Sequence, residues 1–344
     1  MDCEVTIGIP LYNAAGFIRR TLESALAQTF DSIEVLVVDD CGTDGSADIV
    51  REMQTGHPRG GIIRIVRQPE NMGVGPARNR IIDEARGRYL YFMDSDDLIV
   101  PETISLLYNN VLRHDAEIAF GSYLKAGTDG ACSIREEFVY PELVLAGPDA
   151  LASFAFRKYG GIQAAVWNYL VRLDFLRGTG LRFINANYWE DMVFTYALTT
   201  YVSRAVLLPA VTYHYICRDN SLSNYQRRRL IEKSEVLRNV NTIDWLKGQT
   251  PRLAGKPYLG NWCANIMMTD FYIVCNALKN RALISPAMTP ADYKAVMCHP
   301  LTLRAILALR CSRLKNILLY ALGRLPASLS VWIIRQMGRR KGLV

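Results

Sequence analysis

The first hundred residues alternate between short apolar runs and segments with helical spacing. Val5–Leu11 (VTIGIPL), Ile33–Val38 (IEVLVV), Ile62–Val66 and Tyr89–Met93 are strand-length runs rich in aliphatic, β-branched and aromatic side chains. Between them, Gly16–Gln28 places Ile18, Leu22, Ala25 and Leu26 on one helical face, and Ser46–Met53 and Val74–Ala85 continue the alternation as helices. Apolar runs without polar interruption read as strands buried on both faces. Strands that alternate with helices predict a mostly parallel sheet covered on both sides. Pro101 suits the first turn of a further helix reaching Arg113.

The middle of the chain is less regular. Glu117–Tyr123 reads as a strand, Phe138–Leu145 as a connector and Asp149–Phe156 as a short helix. Ala164–Leu176 carries Trp167, Arg172 and Phe175 at near-helical intervals, and an apolar helix begins at Glu190–Asp191. Val206–Tyr215 reads as a strand leading into CRDNSLS. From Leu230 the period is helical, interrupted by GQTPRLAGKPYLG, with helices over Met267–Asn280 and Leu301–Gly323 and a separate one beyond Pro326. The expected fold class is α/β with a central mostly parallel sheet and a C-terminal helical extension.

Composition narrows the class. The chain has 344 residues, half of them hydrophobic, and a mean hydropathy of +0.05, which favours folding over disorder. Eight cysteines occur without a CxxC pair, as expected of small buried hydrophobes in a reducing compartment. The start, MDCEVTIGIP, lacks the basic and long apolar regions of a signal peptide, and no apolar run reaches the ~18 residues of a membrane span. Charge is uneven. The first 292 residues hold 30 basic and 33 acidic side chains, whereas ten basic and no acidic residues follow Asp292.

In open α/β sheets ligands lie beyond the carboxyl ends of the strands. Here those ends carry Pro10–Asn13, Asp39–Asp40, Arg67–Asn71 and Asp94–Asp97. Crowded carboxylates such as those of DSDD disfavour one another's ionisation, so the cluster reads as either a solvated loop or a seat for a divalent cation. No GxGxxG, GxxxxGK[ST] or GxSxG is present, which argues against dinucleotide, P-loop and serine-hydrolase chemistry. His214 and Cys217 alone do not make a zinc site.

The stretches PLYNAAGFIRRTLESALAQTF, VVDDCGTDGSADIV, QPENMGVGPARNRIIDEARGRYLYFMDSDD and YWEDMVF, in this order, resemble the family 2 glycosyltransferases of GT-A fold. The resemblance is tight over residues 5–100, looser over 164–224, and absent from the last 120 residues. It implies a catalytic domain over 1–225, with a donor-nucleotide half (1–100) and an acceptor half (101–225). A helical region over 226–344 would follow, ending in a basic amphipathic tail from 301. It further implies a nucleoside diphosphate sugar donor, expected to be UDP-linked, and a Mn²⁺ or Mg²⁺ ion. The reaction would transfer a hexose or N-acetylhexosamine, with inversion, to a saccharide or lipid-linked acceptor. Lack of a QxxRW stretch departs from the processive synthases. The implied setting is non-processive assembly of a bacterial cell-surface polysaccharide, lipopolysaccharide or capsule.

Carried onto this sequence, the resemblance puts Pro10 and Tyr12 beside the nucleotide base. Asp40 would accept from the uracil N3–H, with Asp39 supporting its loop. Arg78 falls by the nucleotide or its acidic partner. Asp94–Ser95–Asp96 is the DxD element: Asp96 would bind the metal, and Asp94 the ribose or sugar side and the metal, with Asp97 a secondary candidate. Asp191 would be the base and Glu190 its neighbour or an acceptor contact; the alternative is that both acids simply cap their helix. Trp189 would stack on the acceptor or pack in the core, and Trp167 with Arg172 would organise the acceptor-side wall. Arg218 would brace the departing diphosphate and His214 approach the metal or phosphates, against the simpler readings of a salt bridge and a core histidine. Cys41 stands where the family pattern has glycine.

A rival from another class is a non-catalytic sugar-nucleotide or carbohydrate-binding protein of the same fold; an acid at Asp191 favours the enzyme. For the tail, nucleic-acid binding is disfavoured by the lack of a recognised motif. Packing on the catalytic domain accounts for its apolar residues. Attachment to an anionic membrane accounts for apolar and basic residues together. The expected location is therefore cytoplasmic and peripheral on the inner face of a bacterial membrane. Homo-oligomerisation is left open.

Overall fold

The computed structural model describes residues 3–127, 134–157, 161–186, 188–217 and 230–344. They group into two compact units, Met1–Leu151 with Ala164–Leu222, and Ala152–Gln163 with Ser223–Val344.

The first unit is built from β1 (Val5–Leu11), α1 (Ile18–Leu26), β2 (Ile33–Asp39), α2 (Ser46–Gly56), β3 (Ile63–Arg67), α3 (Val74–Glu84), β4 (Tyr89–Phe92), β5 (Leu98–Ile99) and α4 (Thr103–Arg113). It continues through β6 (Ile118–Gly127), β7 (Ile134–Phe138), β8 (Leu143–Ala146), the start of α5 (Ala150–Arg157), β9 (Tyr169–Arg172), α6 (Leu173–Gly178), α7 (Glu190–Thr199) and β10 (Arg204–Cys217). One sheet runs β3-β2-β1-β4-β9-β6-β10-β5, with β7 on β6 and β8 on β10. Strands β3, β2, β1 and β4 are mutually parallel. Every residue of β1, β2 and β4 is buried, as their uninterrupted apolar character requires.

Beyond β4 the sheet is mixed. β9 lies antiparallel between β4 and β6, and β10 runs parallel to β6. The helical spacing in Ala164–Leu176 is thus overridden: Tyr169–Arg172 is a strand whose Tyr169, Leu170 and Val171 are sealed between two neighbours, and only then does α6 begin. The expected connector Phe138–Leu145 instead ends β7, which pairs back antiparallel on the preceding strand β6, and begins β8, whose antiparallel partner β10 is distant in sequence.

The second unit holds the rest of α5, β11 (Ile231–Glu232), α8 (Lys233–Gly248), α9 (Leu259–Lys279), β12 (Ile284–Ser285), α10 (Pro290–Val296), α11 (Leu303–Leu307), α12 (Arg313–Arg324) and α13 (Ala327–Arg340). α9 is buried almost all round, and Asp270 on it meets Lys247 of α8 at 2.7 Å. The helix expected over Leu301–Gly323 is two helices, broken at Ser312, whose φ is +51°. The inner faces of α11–α13 bury Ile306, Leu319, Leu322 and Ile334, and Asn316 Nδ2 donates to the Gly260 carbonyl of α9 at 2.8 Å. Their outer faces leave Leu303, Leu307, Leu314, Leu318, Leu329 and Trp332 exposed. Among the described residues no helix is long and apolar enough to cross a membrane.

Candidate active site

The Asp94–Asp97 loop follows β4, and its carboxylates differ in what they do. Asp97 is 1% exposed. Its carboxylate accepts from the Tyr213 hydroxyl and from the Ile216 amide, each at 2.7 Å. Burial, with Asp96 and Asp94 adding repulsion, pushes its pKa well above the usual carboxylate range. Asp97 therefore holds the loop to β10, and its oxygens are already engaged. The same Tyr213 hydroxyl accepts from the Asp94 amide at 3.2 Å. Behind it, the Trp167 ring stacks on Tyr213 at 4.2 Å and meets Tyr123 edge-on.

Arg78 joins this loop to the ED pair. Its guanidinium donates to Asp94 Oδ1 and to Glu190 Oε1, both at 2.9 Å, and it is 4% exposed. Burial alone would lower its pKa, but the carboxylates of Asp94 and Glu190 outweigh that and raise it. Phe183 lies 5.5 Å beneath the guanidinium. The GPARN stretch makes this placement possible. A Cβ on Gly75 would come within 2.4 Å of the Ile184 carbonyl oxygen, so only glycine lets α3 approach that segment. One turn on, Asn79 exchanges hydrogen bonds with the Phe183 backbone, accepting at 2.8 Å and donating at 2.9 Å. Arg78 projects between those two anchors.

Glu190 and Asp191 open α7, preceded by Trp189 in the left-handed region at φ +69°. A bulky residue adopts that conformation only where its surroundings enforce it. Glu190 is buried on Arg78. Asp191 is half-buried, and its Oδ1 accepts from the Met192 amide at 2.7 Å. Burial first, then the neighbouring Glu190, raises the Asp191 pKa to about 7, with Arg78 opposing. A carboxyl that titrates near neutrality suits a general base.

Residues 6–145 match the family model described as "Glycosyl transferase family 2". The chain carries a glycosyl transferase family 2 domain. It is 29% identical to the uncharacterized glycosyltransferase YibD of Escherichia coli over 67% of this chain and 70% of that one. It is 31% identical to the succinoglycan biosynthesis protein ExoO of Rhizobium meliloti over 65% of this chain and 64% of that one. Among solved structures, S. aureus TarS 1–349 in complex with UDP-GlcNAc superimposes with a TM-score of 0.68 at 17% identity, covering 98% of this chain and 92% of TarS. Mannosyltransferase PcManGT from Pyrobaculum calidifontis, in complex with GDP-Man and Mn²⁺, gives 0.52 at 18% identity, over 98% and 88%. The likeness to these solved structures gives the chain the GT-A fold, with a mixed sheet and a helical C-terminal region, and its glycosyltransferase relatives place it in the transferase class of enzymes.

The other anticipated residues are spread around the same strand ends. Pro10 is buried in β1 opposite Val38, while Tyr12 is 51% exposed just beyond it. Asp39 is buried and accepts from the Cys41 amide at 3.1 Å. Asp40 is buried too, and its two oxygens accept from the Met72 and Gly73 amides at 2.9 and 2.8 Å. Burial raises the Asp40 pKa against those donors. Cys41 sits at φ +61°, a left-handed conformation that glycine adopts without cost, so this turn is made by a strained residue. The Ser95 carbonyl accepts from Thr21 Oγ1 at 3.1 Å.

Four anticipated positions need correction or lie out of view. Trp167, expected on the acceptor-side wall, is 7% exposed and enclosed by Tyr123, Tyr213 and Tyr215, so it packs behind the site. Arg172 is tied to Asp174 at 3.1 Å. His214 is half-buried, with its pKa lowered by burial. Strand alternation turns it away from the face of Tyr213, and among the described residues it makes no hydrogen bond to the acidic loop. Arg218 lies outside the described residues. Trp189, in contrast, is 36% exposed beside Glu190.

Among the described residues no three His, Cys, Asp or Glu side chains converge to hold a metal by themselves. The loop nevertheless fits a hard cation that takes the rest of its shell from phosphate and water. Asp96 is half-buried at the loop tip. Asp94 engages Arg78 through one oxygen and leaves its carboxylate partly exposed. Tyr213 and Phe183 were missed at the level of sequence. The only trace of Tyr213 was the alternation of aromatic residues in YHYI, which does not separate a site tyrosine from a core one.

Proposed function

We propose that this transferase moves a hexose or N-acetylhexosamine from a UDP-sugar to a saccharide or lipid-linked acceptor, with inversion, in a metal-dependent displacement. One observation carries the reading: the buried Arg78 binds Asp94 and Glu190 at once, bringing the acidic loop after β4 and the Asp191 carboxyl, raised to about 7, into one site. The TarS complex with UDP-GlcNAc and the PcManGT complex with GDP-Man and Mn²⁺ support this class of donor and cation.

In this scheme Tyr12 lies against the base, and Asp40 accepts from the uracil N3–H with a remaining lone pair. Asp96 and Asp94 would hold the cation, which when bound would supply Lewis-acid neutralisation of the diphosphate charge. The acceptor hydroxyl oxygen bonds to the anomeric carbon as the bond to the diphosphate oxygen breaks, and its proton passes to Asp191. Trp189 flanks the acceptor, and Arg218 braces the leaving diphosphate. Residues 1–225 would form the catalytic part and 226–344 the helical part. The outer faces of α11–α13 would rest on an anionic membrane, through leucines and Trp332 among arginines and lysines. Screening the purified protein with Mn²⁺ against sugar nucleotides and acceptors tests the reaction. Transfer from a UDP-sugar is expected; unimpaired nucleotide binding with neither transfer nor donor hydrolysis would favour a non-catalytic binder.

A further inference from the structure

The second unit contains a cavity of about 400 Å³ among α10, α12 and the start of α13. Lys294, Met297, His299, Tyr320, Gly323 and Arg324 contribute to its wall, and no aspartate or glutamate lines it. Its two cations are uncompensated: among the described residues neither Lys294 nor Arg324 makes an ion pair. Arg324 instead lies over the Tyr320 ring at 5.1 Å. The Tyr320 hydroxyl makes no hydrogen bond among the described residues, so a third donor is open. His299 is committed elsewhere, accepting from the Leu301 amide at 3.0 Å through Nδ1 and pairing with Asn316 at 3.0 Å through Nε2. Burial lowers its pKa, so it adds no charge at neutral pH. The wall is held in shape by a close approach: a Cβ on Gly323 would lie 2.3 Å from the Met297 carbonyl oxygen.

We propose that this cavity receives the phosphate of an anionic lipid headgroup. Two cations and a phenol with no acid among them match a phosphate's charge and acceptor oxygens. The surroundings select a lipid. On the α12 wheel Arg313 and Arg324 border the face that exposes Leu314 and Leu318, and α13 exposes Leu329 and Trp332 beside Arg339 and Arg340. A headgroup in the cavity would thus have apolar side chains close by to meet its acyl region. This inference rests on the membrane-docking reading above, from which it differs by assigning phosphate recognition to two residues.

The test compares co-sedimentation of the full chain with phosphatidylcholine vesicles containing phosphatidic acid or, at matched surface charge, phosphatidylserine. Phosphatidic acid presents an unsubstituted phosphate, so wild type should prefer it. Lys294→Ala/Arg324→Ala should lose that preference. Arg339→Ala/Arg340→Ala should instead weaken binding to both vesicles alike, by about five-fold per charge. Lys294→Glu, at a side chain that makes no ion pair or hydrogen bond among the described residues, repeats the test without disturbing the Tyr320 stack. Wild type that binds both vesicles equally, or a preference that survives Lys294→Glu, overturns the proposal and leaves general membrane docking standing. Failure of wild type to bind either vesicle removes the docking reading itself. Stabilisation by inorganic phosphate that depends on Lys294 and Arg324, without a lipid preference, assigns the cavity to a free anion and overturns the lipid assignment.

Discussion

Arg78 and Glu190, 112 residues apart in the chain, form a 2.9 Å ion pair that is almost sealed from water. The second fork of the same guanidinium holds Asp94. A buried arginine with two carboxylates is a costly arrangement to leave incomplete. Removing the cation strands two partly desolvated negative charges beside each other.

Arg78→Ala is therefore expected to destabilise the protein by about 3–5 kcal/mol, the usual range for breaking a buried pair. Arg78→Lys keeps the charge but not the planar fork, so it should still lose one of the two contacts. Denaturant unfolding, with the slope checked for two-state behaviour, measures both. Alanine and lysine variants as stable as wild type would show that the bridge does not hold the ED pair in place.

Asp191 and Asp96 should separate by role. Asp191→Asn is expected to keep donor binding and lose transfer by about 10²–10⁴-fold, the usual contribution of a positioned acid–base group. Asp96→Asn should lose metal-dependent donor binding and turnover together. Calorimetric titration with UDP and Mn²⁺ beside turnover assays resolves the two. Equal loss of donor affinity in both variants would return the ED pair to a structural role.

The pH dependence follows from the raised pKa of Asp191, about 7 in the folded protein. In its proposed role as base it must be ionised, so kcat/KM should fall about tenfold per pH unit below that value. The linkage has the opposite sense. Because the folded pKa exceeds the unfolded one, the group favours the folded state at low pH, and that contribution is lost as pH rises from about 4 through about 7. Asp191→Asn should accordingly raise the melting temperature relative to wild type at pH 8 and change it little near pH 4. A variant with no gain at pH 8 would count against a desolvated, ionised Asp191.

Asp97 is expected to behave unlike its neighbour Asp96. Its oxygens serve Tyr213 and Ile216, so Asp97→Asn should retain metal-dependent turnover at reduced stability. Tyr213→Phe leaves one Asp97 oxygen and the Asp94 amide short of a partner and should cost about 1–3 kcal/mol. Manganese titrations on both variants check this; loss of metal binding in Asp97→Asn without unfolding would make Asp97 a ligand.

Membrane docking is best tested without truncation. Ending the chain at Pro300 would uncover the α9 surface on which Asn316 sits. Leu314→Ser/Leu318→Ser and Trp332→Ser change only exposed side chains. They should fold normally and lose most binding to anionic vesicles, with wild-type binding weakening as salt rises. Unchanged co-sedimentation would exclude the leucine face as the contact.

What the sequence by itself determined was the order of elements in the first hundred residues. There each strand is a local apolar run, each helix keeps its own period, and polar residues fall at strand ends. It also placed the acid-bearing motifs, because their chemistry depends on residue type at short spacing. Tertiary structure decided the rest. Tyr169–Arg172 is a strand because β4 and β6 close on both its edges, which outweighs the helical spacing of Trp167, Arg172 and Phe175. Trp167 is a core residue because two tyrosines of β10 and one of β6 enclose it, an arrangement that no local pattern encodes. The division among Asp94, Asp96 and Asp97 was equally invisible in DSDD. Three adjacent carboxylates look alike in sequence, and only partners more than a hundred residues away, Tyr213 and Ile216, make one of them structural.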